Sequence, residues 1–381
     1  MTKSKKVLQL QLRYNVNESD LAEQLVIGLK DEGYEVTTLF LRGKPDQGMP
    51  VSKAQQSCYF DCKPADLKGF RRWLVILKLY RFCRAHGFAA VIAHRFKPIS
   101  MMMWIALLLR KPVFIGIEHG IGDYDRVFRR LEAGLLISRR WRIVGVSTAV
   151  TRYLQTRVSA FNQTNTLAIN NAIDIERASS VMLPAEQARK ALGLEEGKRV
   201  IGCIGRLVPV KGHAGLITAF AQIAERYPDT LLAIIGEGRS RAELEALVGN
   251  HGLQDRVVLL GARDDALQYV KAFDIFAMPS LSEGLPLALL EALAGARAVI
   301  GSDIPSLTPI LQGCGGAAFK LGDTDELANE LATLLDLSDQ QLADKGQSGF
   351  EYLTNNHAIK DFRAAYQRLL AEMLASDSEC S

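Results

Sequence analysis

The sequence predicts an α/β protein built from two consecutive units, each with a parallel sheet that helices cover. Short apolar strand patterns alternate with helical patterns along all 381 residues, and such alternation is typical of parallel sheets. A chain of this length suits two or three domains, and the 48% of hydrophobic residues supplies a sizeable core. The two halves also differ in the sign of their charge, which helps to separate the units.

The first unit is predicted to extend over residues 1–172. Its strands are predicted where apolar residues cluster, at 7–12, 35–41, 89–93, 113–117 and 143–146. Its helices are predicted between them, at 19–32, 67–85, 99–109, 126–137 and 149–156. The apolar run at 99–109 is too short to cross a bilayer, so a buried helix is the better interpretation.

The second unit is predicted to extend over residues 173–358, after a strand that ends near Asn170 and Asn171. Its strands are predicted at 200–204, 231–235, 257–260, 275–278 and 298–301, and its helices at 213–226, 241–249, 266–272, 287–295 and 325–335. In open parallel sheets, ligands bind beyond the carboxyl ends of the strands. Two facing units are therefore expected to form a central cleft with one substrate on each wall.

The net charge of +4 conceals an asymmetry between the halves. Residues 1–180 hold 28 Lys and Arg against 15 Asp and Glu, which gives +13, and residues 181–381 hold 18 against 27, which gives −9. A basic first half indicates an anionic partner, such as a membrane surface, a phosphorylated glycan or nucleic acid. No recognisable RNA- or DNA-binding module occurs, so nucleic acid is not expected as a partner.

Residues 67–84 form a candidate basic amphipathic helix. Basic residues alternate in this segment with aromatic and aliphatic ones, at positions 68, 71, 72, 78, 81 and 84. This composition suits an anionic membrane surface. The alternative is an ordinary helix packed on the sheet.

The cysteines and the first residues predict a cytoplasmic protein, and the basic segment 67–84 predicts a peripheral location on the inner face of the cell membrane. The six cysteines are irregularly spaced, which favours free thiols in a reducing compartment. Cys58 and Cys62 are not followed by a second pair, so a zinc site is not expected. Lys5 and Lys6 lead directly into a strand pattern, without the apolar region of a signal peptide.

A first candidate site lies in the loop after the strand at 200–204. Gly205 permits a tight exit from the strand, and Gly212 opens the next helix. Between them, Arg206 and Lys211 place two cations beside a helix N-terminus, which favours phosphate. The loop is not a Walker A motif, because it lacks the glycine before and the hydroxyl residue after the lysine. Taken alone, it is equally consistent with a solvated loop.

The next strand also ends in a glycine turn, at Gly236 and Glu237. Glycine turns are common at such positions, so this signal is weak alone. It gains weight because it lies on the presumed ligand side of the sheet.

A second, more specific candidate site begins at Glu283. Pro286 suits the first helical turn, and Gly284 lets the backbone approach a ligand. The N–H groups of Gly284, Leu285 and Leu287 are expected to meet phosphate oxygens.

Glu291 follows on the same helix, roughly 8–12 Å from Glu283 at ~1.5 Å per residue. That separation suits the two ends of a nucleotide-sugar, with hexose at Glu283 and ribose at Glu291. The alternative is that Glu283 only complements the helix dipole and that Glu291 is an ordinary surface residue.

Together the two motifs, Gly-Arg-Leu-x-x-x-Lys-Gly and Glu-x7-Glu, resemble the family of retaining, two-Rossmann (GT-B) glycosyltransferases called family 4. The likeness covers the C-terminal half, including the segment Asn171-Ala172-Ile173-Asp174 as an interdomain signature. The family includes glycan and lipopolysaccharide-core transferases. The resemblance also implies a C-terminal part, residues 359–381, whose helix at about 359–374 crosses back onto the first unit.

The resemblance implies roles for the residues of the second unit. Arg206 and Lys211 would neutralise the diphosphate, Glu283 would contact the transferred sugar, and Glu291 would contact the ribose. The residue after Gly261, Ala262, would place its backbone against the base.

The first unit departs from the family's pattern. Relatives often carry a Gly-Gly loop after the first strand, where this chain has Tyr14-Asn15-Val16-Asn17-Glu18-Ser19. Asn15 and Asn17 are therefore candidates for the acceptor contacts. His119 resembles the family's cleft histidine, which contacts donor sugar or acceptor; a structural histidine is the alternative. His94 and Arg95 end another strand and are candidates for contact with an anionic acceptor.

Asp123-Tyr124-Asp125 would be a metal motif in single-Rossmann glycosyltransferases, but the two-domain pattern makes it a chance match here. No metal and no cofactor are expected besides the donor, a UDP-linked sugar.

The expected activity is retaining transfer of a hexose to a glycan or lipid-linked acceptor, such as lipopolysaccharide core. Glu283, His119, Arg206 and Lys211 are the expected catalytic residues. The alternatives are a sugar-phosphate synthase or phosphorylase of the same fold, and a catalytically silent nucleotide-sugar-binding scaffold. A dinucleotide dehydrogenase is disfavoured, because no Gly-x-Gly-x-x-Gly follows either first strand.

Overall fold

The structure, a computed structural model, describes residues 5–17 and 20–379. Ser19, the predicted start of the first helix, and Cys380 lie outside the described residues. The chain forms two compact units, one that runs to Asn171 and resumes at Ile359, and one that comprises Ala172–Ala358. The division at Asn171 lies one residue before the predicted join.

The first unit contains a seven-stranded sheet in which every pairing is parallel. Its strands are β1 (Lys6–Gln11), β2 (Glu35–Phe40), β3 (Gln56–Tyr59), β4 (Ala90–His94), β5 (Val113–Glu118), β6 (Trp141–Gly145) and β7 (Thr166–Ala168). They are ordered β3-β2-β1-β4-β5-β6-β7. The helices between them are α1 (Leu21–Asp31), α2 (Arg71–His86), α3 (Phe96–Ala106), α4 (Val127–Leu136) and α5 (Thr148–Arg157).

The second unit contains a six-stranded parallel sheet of order β10-β9-β8-β11-β12-β13. Its strands are β8 (Arg199–Ile204), β9 (Thr230–Ile235), β10 (Val257–Leu259), β11 (Ile275–Met278), β12 (Ala298–Asp303) and β13 (Ala317–Lys320). Its helices are α6 (Ile175–Val181), α7 (Ala185–Leu192), α8 (His213–Ile223), α9 (Arg241–Asn250), α10 (Leu287–Ala294), α11 (Thr308–Cys314), α12 (Thr324–Leu335) and α13 (Asp339–Asn356). Pro209–Lys211 and Ala266–Ala272 are 3-10 helices, the latter at a predicted helix.

The last helix, α14 (Ile359–Glu379), returns to the first unit and packs on α1. The side-chain amide of Gln367 donates to the carbonyl oxygen of Gly28 at 2.7 Å, and Arg363 donates to the side chain of Gln24. The helix is longer than the predicted 359–374, because it continues to Glu379.

Two strands were not predicted, β3 and β13, and each lies at an edge of its sheet. A strand was predicted to end near Asn170, and β7 ends at Ala168. Only one side of an edge strand is paired, so its sequence carries a weaker apolar signal. β3, with the sequence Gln-Ser-Cys-Tyr, has no fully buried residue.

Four helices of the second unit were also not predicted: α6, α7, α11 and α13. Three of them have seven or eight residues, too few for a clear helical period.

The strand order places a topological switch point in each sheet. β1 lies between β2 and β4, and β8 lies between β9 and β11, so the connections on either side of the central strand run in opposite directions. The loops that leave β8 and β11 therefore border a crevice at the carboxyl edge of the second sheet. None of the helices in the described part of the chain combines the length and apolar character needed to cross a membrane.

Candidate active site at the carboxyl ends of the strands

The loops after β8 and β11 are joined closely at this switch point. Gly212 has a φ of 70°, and a Cβ at this position would lie 1.9 Å from the carbonyl oxygen of Pro279. Only glycine fits such an approach. The backbone N–H of Leu281 donates to the carbonyl oxygen of Val210 at 2.8 Å. This contact holds the first predicted cluster against the segment that leads into the second.

The two predicted clusters, 72 residues apart in the chain, meet through Lys211 and Glu283. The Lys211 ammonium lies 2.5 Å from Oε1 of Glu283, and the two side chains are 19% and 11% exposed. Arg206 is exposed instead, and no described carboxylate forms an ion pair with it. One cation of the loop is thus held by a carboxylate, and the other is open to an anion.

His213 contacts the backbone of this loop and was not predicted as a site residue. Its Nε2 lies 3.3 Å from the carbonyl oxygen of Arg206, and its Nδ1 lies 3.5 Å from Sγ of Cys203. Burial lowers the pKa of His213 and keeps the ring neutral. With the proton on Nε2, the ring donates to that carbonyl and fixes the backbone at Arg206. The only signal in the sequence is its position at the start of α8.

The glycine turns of neighbouring strands form a continuous backbone network. The N–H of Gly205 donates to Ile235 O at 3.0 Å, and the N–H of Gly236 donates to Gly261 O at 2.9 Å. A Cβ on Gly236 would lie 1.9 Å from the carbonyl oxygen of Gly205, so a side chain has no room. Ala262 follows Gly261 and is exposed. The predicted glycine turns and Ala262 therefore share one edge of the sheet.

Glu237 also lies at this edge, but its carboxylate is already partnered. Arg241, in the first turn of α9, lies 2.5 Å from Oε1 of Glu237. The structure thus gives Glu237 an ion pair within its own turn.

The helix that carries Glu291 begins at Leu287, and Pro286 is its N-cap. The prediction of Pro286 inside the first helical turn is therefore displaced by one residue. No side chain of the described residues caps this N-terminus, so its first N–H groups and the positive end of the helix dipole suit an anion. Gly284 and Leu285 are buried in the segment that leads into the helix.

Glu291, on α10, belongs to a second charged cluster with Asp265 and Arg177. The pKa of its carboxyl is raised to about 7, first by burial and then by Asp265, while Arg177 opposes the shift. Arg177 lies 3.4 Å from Oδ2 of Asp265. Asp174, from the predicted interdomain signature, caps α6 by accepting from the N–H of Arg177 at 3.0 Å. The signature therefore positions Arg177, which sequence reasoning missed together with Asp265.

The first unit brings His94 and His119 together at the ends of β4 and β5. Nδ1 of His94 lies 3.4 Å from Nε2 of His119. Burial, together with Arg95, lowers the pKa of His94 to about 3. The pKa of His119 lies well below its usual value, because the ring is buried and faces His94 and Arg95. Both rings are neutral at physiological pH.

Arg95 has an unusual backbone conformation, with φ 70° and ψ 157°. This region is nearly restricted to glycine, and such strain concentrates at functional sites. The Arg95 side chain is exposed. Asn15 and Asn17 are exposed in the coil after β1, and their side chains form no hydrogen bond to another described residue.

The carboxylates of the Asp-Tyr-Asp segment are both engaged by arginine. Asp123 lies 3.0 Å from Arg129, and Asp125 lies 3.1 Å from Arg157. Within residues 5–17 and 20–379, no group of three or more His, Cys, Asp or Glu side chains is arranged to hold a metal ion.

Comparisons with known proteins agree with this architecture. Residues 184–348 match the family described as "Glycosyl transferases group 1", and residues 21–177 match "Glycosyltransferase Family 4". The chain is 30% identical over 202 residues to the UDP-Gal:alpha-D-GlcNAc-diphosphoundecaprenol alpha-1,3-galactosyltransferase of Escherichia coli. That match covers 51% of this chain, which spans about half (52%) of the relative's length.

Solved structures match over nearly the whole chain. Sucrose-phosphate synthase from Thermosynechococcus elongatus has a TM-score of 0.82 at 17% identity, covering 98% of this chain and 100% of that one. Anabaena HepE in complex with UDP-glucose has a TM-score of 0.79 at 19% identity, covering 97% and 99%. At these identities the likeness shows the fold alone, and it confirms the predicted pair of Rossmann-like domains. The chain therefore belongs to the glycosyltransferases of group 1 and family 4, with the GT-B fold.

Proposed function

We propose that this protein is a retaining glycosyltransferase that transfers a hexose from a UDP-sugar to a glycan or lipid-linked acceptor. The observation that carries the proposal is the pairing of Lys211 with Glu283 at the switch point of the second sheet. A cation for the diphosphate and a carboxylate for the sugar lie side by side there. The names of the Escherichia coli relative and of the HepE complex favour UDP as the nucleotide.

The donor diphosphate is held by charge and by backbone dipoles. Arg206 offers a planar set of donors, Lys211 offers three ammonium protons, and the uncapped N-terminus of α10 offers backbone N–H groups. Negative charge grows on the diphosphate as the bond from the sugar to its oxygen breaks. Donors already in position stabilise that charge without reorganising.

The two carboxylates take opposite ends of the donor. Glu283 accepts hydrogen bonds from hydroxyls of the transferred sugar, and Glu291 accepts them from the ribose. The Lys211 ammonium has three protons and can donate to phosphate while it stays paired with Glu283, and the carboxylate keeps further lone pairs for sugar hydroxyls. Retention follows if the acceptor attacks the face from which the diphosphate leaves, with a phosphate oxygen taking the acceptor's proton.

The first unit supplies the acceptor side. His119 is neutral, so its ring can donate a hydrogen bond to a sugar hydroxyl or accept one from it. Arg95, Asn15 and Asn17 are exposed at the carboxyl edge of this sheet, where they would contact the acceptor. The strain at Arg95 supports a role for this residue.

The reaction needs no divalent metal in this proposal. Two cations and a helix N-terminus already offset the charge of the diphosphate, which is the task a metal ion performs in other transferases.

A membrane location on the cytoplasmic face is also proposed. The outer face of α2 exposes large apolar side chains beside its basic residues: Phe70, which precedes the helix, Trp73, Leu74 and Leu77. Such a face is suited to partial insertion into an anionic interface. The name of the Escherichia coli relative includes a lipid-linked acceptor, which supports a location at the membrane.

The proposal is tested by thermal stabilisation with a panel of nucleotide-sugars, followed by product analysis with glycan and sugar-phosphate acceptors. A UDP-sugar should raise the melting temperature of the wild type and not that of the Lys211→Ala variant. Nuclear magnetic resonance of the product should show the anomeric configuration of the donor. Transfer only to sugar phosphates would favour a synthase of the same fold, and binding without turnover would favour a silent scaffold.

A further inference from the structure

A cavity of about 300 Å³ belongs to the first unit, whereas the residues of the proposed donor site belong to the second. It is formed by the segment before α2, the start of α3 and the start of α4. Five cationic side chains line it: Lys68, Arg72, Lys97, Arg126 and Arg129. None of the described residues that line it is acidic.

Two of these cations are fixed in place by carboxylates outside the cavity wall. Arg72 lies 3.2 Å from Oε1 of Glu132 and donates to the hydroxyl of Ser100 at 2.6 Å. Arg129 pairs with Asp123 at 3.0 Å, and its guanidinium lies 4.0 Å above the ring of Phe96. These contacts hold both guanidinium groups in fixed orientations in the cavity wall.

The other three cations, Lys68, Lys97 and Arg126, have no ion pair with a carboxylate of the described residues. Lys97 is the most enclosed of the three. Burial lowers its pKa, and four surrounding cations add to the effect: Lys68, Arg42, Arg129 and Arg13. A half-buried ammonium among cations is costly, and a bound anion would remove that cost.

Lys97 and two of the cations around it lie at the carboxyl edge of the first sheet. Arg13 follows β1, Arg42 follows β2, and Lys97 follows β4, so all three come from the carboxyl ends of adjacent strands. This is the edge at which an open parallel sheet binds its ligand. Phe128, on the cavity wall, is exposed beside it and gives the mouth an apolar border.

We propose that this cavity binds the phosphate of a phosphomonoester or diphosphate, and that the acceptor carries this phosphate. Arginine forks and unpaired ammonium groups around a small cavity match a compact dianion. The assignment to the acceptor rests on the proposed transferase function, whereas phosphate binding at the cavity does not. The phosphate comes either from a soluble phosphorylated glycan or from a lipid headgroup.

The first experiment measures binding of inorganic pyrophosphate by calorimetry. All proteins carry Arg206→Ala and Lys211→Ala, so that the proposed donor site does not contribute. Lys97→Ala in this background should weaken binding about tenfold or more, as expected for a charge-assisted hydrogen bond. Lys111→Ala removes a positive charge from an exposed site of the same unit outside the cavity and should leave binding unchanged.

Lys97→Arg keeps the charge and should retain most of the affinity, which separates an electrostatic effect from a folding defect. Equal affinity in the Lys97→Ala and Lys111→Ala proteins would overturn the proposal. Because the readout is binding, failure here is distinguishable from failure of the proposed transfer, which the nucleotide-sugar panel measures.

A second experiment identifies the source of the phosphate. Phosphatidylcholine vesicles containing phosphatidic acid, a phosphomonoester, are compared with vesicles brought to the same surface charge with phosphatidylglycerol, a phosphodiester. Preference for phosphatidic acid that disappears in Lys97→Ala supports a lipid headgroup. Binding of soluble pyrophosphate without that preference supports a soluble phosphate. If neither probe is sensitive to Lys97→Ala, the cavity is not a phosphate site.

Discussion

Lys211 and Glu283 form an ion pair of 2.5 Å that joins the loops after β8 and β11. Both side chains are largely buried, so loss of either partner leaves a charge with poor solvation. A donor diphosphate can share Lys211 with the carboxylate, because an ammonium group has three protons. The pair thus holds the lysine in position until the diphosphate arrives.

The first prediction concerns this lysine. Lys211→Ala should lower kcat/KM by about 10²-fold or more, since removal of one oxyanion donor costs several kcal/mol in the transition state. Lys190→Ala is the matched control, because Lys190 is exposed on α7 of the same unit. Steady-state kinetics that were equal for the two variants would remove Lys211 from the mechanism.

The second prediction separates the two carboxylates. Glu283→Ala should mainly lower kcat, because contacts with the reacting sugar strengthen in the transition state. It should not weaken binding of the nucleoside diphosphate, since it releases Lys211 toward the phosphates. Glu291→Ala should mainly raise the donor KM and weaken diphosphate binding. Calorimetry on both variants checks this, and the opposite pattern would reverse the orientation of the donor.

The third prediction concerns the pH dependence of folding. The pKa of Glu291 is raised from 4.5 to about 7, so between these values the folded state retains a proton that the unfolded state releases. The contribution of Glu291 to the free energy of unfolding is therefore present in full below pH 4.5. It is lost as the pH rises through 7.

Glu291→Gln should remove this dependence. Relative to the wild type, the variant should gain about 1–3 kcal/mol in the free energy of unfolding between pH 4.5 and pH 8, at ~1.4 kcal/mol per pKa unit. Urea denaturation of both proteins at several pH values measures the difference, in which all other titrating groups cancel. Parallel pH profiles would show that Glu291 titrates normally.

The fourth prediction concerns metal ions. Because Arg206, Lys211 and the N-terminus of α10 offset the diphosphate charge, activity should survive EDTA. The assay is initial rate before and after extensive chelation. A complete loss of activity that Mn²⁺ restores would indicate that Asp123 and Asp125 bind a metal ion. Their ion pairs with Arg129 and Arg157 would then have to break.

The fifth prediction concerns the membrane. Replacing Arg71, Lys78 and Arg81 with Gln should abolish sedimentation with anionic vesicles, and wild-type binding should weaken as salt rises. Lys68 and Arg72 are left unchanged because they line the cavity described above.

The control for this experiment replaces three exposed basic residues of the second unit with Gln: Lys190, Arg239 and Lys320. It removes the same charge and should leave vesicle binding intact. Equal sedimentation of both triple variants would assign the face of α2 to a structural role.

The sequence predicted the central strands and the fold, because central strands such as β8 and β11 consist mostly of buried apolar residues. It failed at the sheet edges, where β3 carries Gln56 and Ser57 in place of an apolar run. Lys211 and Glu283 could be placed in one site because each follows a strand, and the carboxyl ends of adjacent parallel strands meet. Their direct ion pair depends on the close passage of Gly212 under Pro279, which no local pattern encodes.

Other parts of the candidate sites become neighbours only through folding. Arg177 and Asp265 are far apart in the chain, and neither stands in a recognisable motif before α6 and the turn at Asp265 bring them to Glu291. The cavity cations are likewise drawn from three elements. Composition revealed the excess of positive charge in the first half, but not the place where it converges.

The packing of α14 on α1 has a consequence for biosynthesis. The first unit is encoded by two separate stretches of the chain, with the whole of Ala172–Ala358 between them. While the ribosome is still translating the second unit, the face of α1 that receives Arg363 and Gln367 has no partner. The first unit can therefore complete its fold only when the final helix emerges, so the part of the protein that begins to form first is finished last.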